Sequence, residues 1–81
     1  MAERKATITR RTKETSIKVE VNIDGSSKSE ITTGIRFFDN MLDQLAQHGT
    51  FDLKISANGS DQHHVVEDVA ITLGRAFNQA L

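Results

Sequence analysis

Two stretches of this chain alternate apolar and polar side chains so regularly that only half-buried strands satisfy them. In the first, Ile17, Val19, Val21 and Ile23 alternate with Lys18, Glu20, Asn22 and Asp24; in the second, Phe51, Leu53, Ile55 and Ala57 alternate with Asp52, Lys54, Ser56 and Asn58. A period of two puts each apolar set on one face of an extended chain and each polar set on the other. A sheet of such strands keeps one face wet and must have the other covered.

The rest of the chain supplies the cover. Met1 to Lys5 is polar and is expected to fray. Ala6-Thr7-Ile8-Thr9 suggests a short first strand ending in Arg10-Arg11, before Lys13-Glu14-Thr15 interrupts the pattern. Asp24-Gly25, followed by Ser26-Ser27-Lys28, has turn chemistry and predicts a hairpin into a third strand around Glu30–Thr33. Thr33-Gly34 breaks the chain before a helix over Ile35–His48. Its stripe is Ile35, Phe38, Leu42 and Leu45, widened by Phe37, Met41 and Ala46, and Gly49 stands where a helix-stopping glycine belongs. Asn58 to Asp61 reads as a loop. A second helix then carries Val66, Val69, Ala70, Leu73, Phe77 and Ala80 on one side. The order is βββαβα, an α+β two-layer unit with a mixed sheet and both helices on one face.

Eighty-one residues make a single unit, 1–81, whose core is small enough that a metal or a partner copy would help it. There is no cysteine, so disulfides and thiolate metal sites are excluded. Ten basic residues against eleven acidic ones give a formal charge of −1, which favours neither nucleic acid nor an anionic membrane. The basic residues Arg4, Lys5, Arg10, Arg11 and Lys13 have no aromatic among them to stack bases. No apolar run approaches the ~18 residues of a membrane span, and no signal-peptide pattern opens the chain. A cytoplasmic protein is expected.

Metal-capable side chains crowd into Asp61-Gln62-His63-His64-Val65-Val66-Glu67-Asp68. Helical periodicity with Val66 at zero sets His63 at about +60°, Glu67 at about +100°, His64 at about +160° and Asp68 at about −160°. His63, Glu67 and His64 then share a side face beside the apolar stripe. Each histidine is within helical reach of Glu67, but the two are splayed by about 100°, which suits two ions better than one. One helix cannot fill a first shell, so further ligands must come from elsewhere in the chain or from a neighbour.

Four stretches, in order, are together similar to imidazoleglycerol-phosphate dehydratase, the dehydratase family of histidine biosynthesis. They are Arg11-Thr12-Lys13-Glu14-Thr15-Ser16-Ile17, Thr33 through Gln44 (Thr-Gly-Ile-Arg-Phe-Phe-Asp-Asn-Met-Leu-Asp-Gln), His48-Gly49-Thr50-Phe51-Asp52-Leu53, and His63-His64-Val65-Val66-Glu67-Asp68-Val69. The resemblance implies a duplicated βββαβα fold like the second domain of ribosomal protein S5, of which this chain would be the first repeat. It further implies trimers that build larger shells with manganese, and ions held between subunits by histidines and glutamates of both repeats. In such an enzyme the substrate's imidazole bridges the ions while its hydroxyl leaves as water.

Carried over residue by residue, the resemblance makes His63, His64 and Glu67 metal ligands and Glu14 the glutamate that assists proton transfer. Gln44, and His63 besides its metal role, would touch substrate. His48 is a lesser candidate, as a cap of the helix end, and Asp68 would orient a ligand. Three departures stand out. Asn40 replaces a metal-ligating histidine, the run from Gly59 to His63 is about three residues short, and the second repeat, with the other histidine pair and the phosphate-holding arginine and lysine residues, is missing. The expectation is a metal-binding half with weak or no activity alone. Its cofactor would be Mn2+, with Zn2+ or Ni2+ as alternatives; its partners would be further copies of itself or a complementary second repeat, and imidazole glycerol phosphate where active. A structural oligomerisation module without metal is the alternative.

Overall fold

The computed structural model describes residues 4–81; the fraying expected of Met1, Ala2 and Glu3 lies outside them. Lys5 does not fray. It opens the first strand, β1 (Lys5–Arg11), and Arg4 beside it pairs with Asp24 at 2.8 Å. The remaining elements are β2 (Thr15–Asn22), β3 (Ser29–Thr32), α1 (Arg36–Gly49), β4 (Asp52–Gly59) and α2 (Gln62–Ala80), in the order βββαβα.

The four strands form one mixed sheet in the order β1-β2-β4-β3. β2 pairs antiparallel with β1 and with β4, while β3 runs parallel to β4 at the edge. Register puts the alternating apolar sets side by side: Ile17 opposite Ala57, Val19 opposite Ile55, Val21 opposite Leu53, and Ile31 opposite Ile55 on the far side. The inward set is almost fully buried, Val19 at 0% and Leu53 at 1% exposure. On the opposite face Glu20 and Glu30 flank Lys54 in register.

The expected hairpin from the second into the third strand does not form. The chain turns at Asn22–Gly25, crosses the end of β4 and enters β3 on its far side. Asp52 fixes this route. Its carboxylate accepts from the amides of Ser26 at 2.9 Å and Lys28 at 3.0 Å, and Leu53 donates to the Lys28 carbonyl. Turn chemistry at Asp24-Gly25 marked a reversal without saying which strand the chain would join.

The amide of Lys28, followed by that of Ser26, holds the Asp52 carboxyl below the usual aspartate range. A depressed folded-state value stabilises the fold above the unfolded-state value, and that stabilisation is lost as pH falls through the folded one. Asp52→Asn should therefore lower the thermal midpoint at neutral pH and flatten its decline across the acid range. Midpoint curves for variant and wild type that run parallel over that range would contradict this role.

α2 crosses β1 and β2, and α1 lies over β3. They meet the sheet through Phe38, Leu42 and Ala46 of α1 and through Val65, Val69, Leu73, Ala76 and Ala80 of α2, and Phe51 stacks edge-on against Phe77 at 4.9 Å. Of the expected α1 stripe, Phe38, Leu42 and Ala46 are buried, whereas Phe37, Met41 and Leu45 stay 74%, 51% and 45% exposed. The helix runs through Gly49, and Thr50 is the left-handed residue that ends it, at φ 51°. A Cβ on Gly49 would lie 2.3 Å from the Phe51 ring, so packing rather than capping explains this glycine.

Candidate functional site

The face of α2 that meets the sheet is rotated from the sequence expectation. Val66 and Ala70 are exposed, whereas Val65, Thr72 and Ala76 are buried. The centre of the stripe therefore moves by about 60°. Thr72 was not counted because it is polar, yet its hydroxyl donates to the Asp68 carbonyl at 2.7 Å, which makes its burial cheap.

That rotation re-sorts the dense cluster. The helix does include His63, as the angles assumed: Asp61 is the N-cap, its carboxylate accepting from the His63 amide at 3.0 Å. However, His63 and Glu67 now point to solvent, with side chains 82% and 60% exposed. His64 is 45% exposed and Asp68 only 14%, so these two face the sheet and the β1–β2 turn.

The turn brings Glu14 to them. Across Thr12–Thr15 the amide of Thr12 donates to the Thr15 carbonyl, and the Thr12 hydroxyl accepts from the amides of Glu14 and Thr15. The Glu14 carbonyl accepts from the Ser60 amide at 3.2 Å. Its carboxylate comes within 3.4 Å of His64 Nδ1, and Asp61 Oδ2 lies 3.0 Å from the same nitrogen. Although both carboxylates are near, neither has hydrogen-bond geometry to Nδ1, which is shielded from solvent and unpartnered. These are ion-pair distances without a hydrogen bond, so Nδ1 lies near two carboxylates and is bonded to neither.

His63 Nε2 stands 3.8 Å from Glu67 Oε2. A divalent ion bound at roughly 2.1 Å from each would span such a gap. His64 does not share Glu67 in this way, because its ring turns to Glu14 instead. Among the described residues no group of three or more His, Asp or Glu side chains converges as a metal site. The donors thus suit a borderline divalent ion in type, and fall short in number.

Gln44 is not brought to the histidines. It lies on the outer face of α1 with Asn40, among Phe37, Met41 and Leu45. His48 is exposed in the last turn of the same helix. What sequence reading missed is the polar bridge behind the site, in which Thr15 Oγ1 donates to Asp68 at 2.6 Å and Arg10 Nε lies 3.6 Å from the other carboxylate oxygen. The available signal was position: Thr15 follows Glu14 and Asp68 follows Glu67. No helix of the described residues is long and apolar enough to cross a membrane.

Comparison with known proteins gives a consistent result. Residues 33–81 match the family model described as imidazoleglycerol-phosphate dehydratase. The dehydratase of that name from Dehalococcoides mccartyi (strain ATCC BAA-2266 / KCTC 15142 / 195) is 59% identical over 81 residues, spanning 100% of this chain and 41% of that protein. Those from Azotobacter vinelandii and Polynucleobacter necessarius subsp. necessarius are 55% identical over 84 residues and 53% identical over 81. They span 100% and 96% of this chain, and 43% and 42% of the relatives. The chain spans about two fifths of the length of the curated relatives it matches.

Proposed function

The chain belongs to the imidazoleglycerol-phosphate dehydratase family, and on that premise we propose that it is one metal-binding repeat of such a dehydratase. In this reading it acts in histidine biosynthesis, on imidazole glycerol phosphate, and has weak or no activity until a second repeat or a second copy completes the site.

One observation carries the reading. Glu14, at the tip of one hairpin, and His64, fifty residues later on α2, meet at 3.4 Å. A proton-transferring carboxylate and a metal-ligating imidazole must be neighbours for this dehydration, which removes a C–H proton and a hydroxyl.

His63, His64 and Glu67 would hold Mn2+, or Zn2+ or Ni2+ in its place. A bound divalent ion would supply Lewis acidity to the substrate's imidazole. Glu14 would move the proton, held in place by the turn described above. Gln44 sits on a different helix, so its contact with substrate would be made through a neighbouring copy. The exposed row of Phe37, Met41 and Leu45, spaced four residues apart on α1, supports self-association, since it leaves contiguous apolar surface uncovered beside Gln44.

Manganese uptake followed by electron paramagnetic resonance tests the binding. The wild-type chain should take up Mn2+, and His63→Ala, His64→Ala and Glu67→Ala should each weaken it by about tenfold or more. Dehydration of imidazole glycerol phosphate should be slow with this chain alone and rise on adding a second repeat. No uptake by the wild type, or uptake untouched by all three substitutions, would overturn the reading.

A further inference from the structure

We propose that Thr15 and Asp68 form a latch that positions the Glu14 carboxylate against His64. The functional consequence rests on the reading above; the latch itself is a property of the metal-free chain.

The geometry has two matched contacts. His64 and Asp68 are four residues apart and share one side of α2; Glu14 and Thr15 are adjacent at the tip of the hairpin. Thr15 bonds Asp68 while Glu14 faces His64, so the first contact sets the register of the second. Thr15 is 4% exposed, so its hydroxyl has no access to water as a substitute partner. Its proton goes to Asp68 Oδ2, and its lone pair faces Thr12 Oγ1 at 3.0 Å. The Thr12 hydroxyl then donates to Thr15 and accepts from two backbone amides, so both threonine hydroxyls of the turn are held in defined hydrogen bonds. Arg10 Nε stands against the remaining oxygen of Asp68.

The Glu14 backbone is therefore tied on both sides, by Thr12 and by Ser60. Its distance from α2 is set by the Thr15–Asp68 hydrogen bond, with the Arg10–Asp68 ion pair at 3.6 Å beside it. Thr15 and Asp68 are positioning residues in this account, since neither needs to touch substrate. A misplacement of about 1 Å at a reacting group can cost on the order of a hundredfold in rate.

The test is nuclear magnetic resonance on the whole labelled chain without metal, comparing wild type, Thr15→Ser, Thr15→Val and Asp68→Ala. Wild type and Thr15→Ser should show cross-relaxation between the Glu14 methylenes and the His64 ring. Thr15→Val and Asp68→Ala should lose it, while contacts of Val69 with the sheet core persist and show the fold intact. Adding Mn2+ should then broaden the His63 and His64 amides in all four. Persistence of the Glu14–His64 contact in a folded Thr15→Val or Asp68→Ala chain would overturn the latch. If Thr15→Val does not fold, Asp68→Ala decides in the same way. Absence of Mn2+ broadening in the wild type would instead remove the metal-binding reading, and the metal-free contacts would still judge the latch.

Discussion

Ile55→Ala should cost about 2–5 kcal/mol of folding stability, the range for removing a buried isoleucine side chain down to its Cβ. Ile55 is 2% exposed and stands in the middle of β4, opposite Val19 on one side and Ile31 on the other. It is the position where the antiparallel and parallel halves of the sheet share one side chain. A domain of this size holds only about 5–15 kcal/mol in total. The thermal midpoint should therefore fall by roughly 8–40 °C, at about 4–8 °C per kcal/mol for a short chain. Lys54→Ala, one residue away on the wet face, should stay within about 0.5 kcal/mol of wild type. Equal, small effects at both positions in a thermal melt would show that β4 is not an interior strand.

Gly59→Ala should destabilise by about 1–3 kcal/mol through crowding. A Cβ there would lie 2.7 Å from Val65 Cγ2, 2.9 Å from the Glu14 carbonyl oxygen and 3.0 Å from Thr15 Cγ2. The carbonyl is backbone and is already bonded to Ser60, so it cannot swing aside as a flexible side chain would. Relief requires the tip of the hairpin to move away from α2, carrying Glu14 with it. Gly74→Ala is the matched control. Nothing lies within 4 Å of a Cβ at that helical position, and alanine should stabilise it by about 0.5–1 kcal/mol. Urea unfolding of the pair should give shifts of opposite sign; a Gly59→Ala chain as stable as wild type would contradict the close approach.

Alternation made β2 and β4 legible in the sequence, because a half-buried strand has no freedom in which residues it hides. The spacing of Phe38 and Leu42 made α1 legible for the same reason. The neighbour of β3 was not legible, since four residues carry little pattern and the bonds that route the chain come from Asp52, more than twenty positions later. The face of α2 was misjudged because hydrophobicity ranked Val66 and Ala70 above Thr72. In the structure, Thr72 satisfies its own hydroxyl and fits the sheet, while Val66 is left 36% exposed.

The site was legible in the same uneven way. His63, His64 and Glu67 announce themselves by density, whereas Asp61 was read only as the end of a loop and the structure makes it the N-cap of their helix. Nothing in spacing alone brings Glu14 to His64, because that contact depends on the β1–β2 register and on how α2 lies across both strands. Only similarity to a known family pointed to Glu14 beforehand. The Thr15–Asp68 bond behind it was not read from the sequence: Asp68 was expected to orient a ligand, and nothing in its spacing tied it to Thr15.

In the proposed function, α2 carries part of a metal site which a second set of ligands completes. Anomalous scattering at the manganese edge, from crystals grown with Mn2+, tests it most directly. Manganese peaks are expected at His63, His64 and Glu67, each completed by ligands from a second copy and with Glu14 beside His64. Crystals with no manganese on the first turns of α2, or with an ion fully ligated by one chain alone, would contradict it.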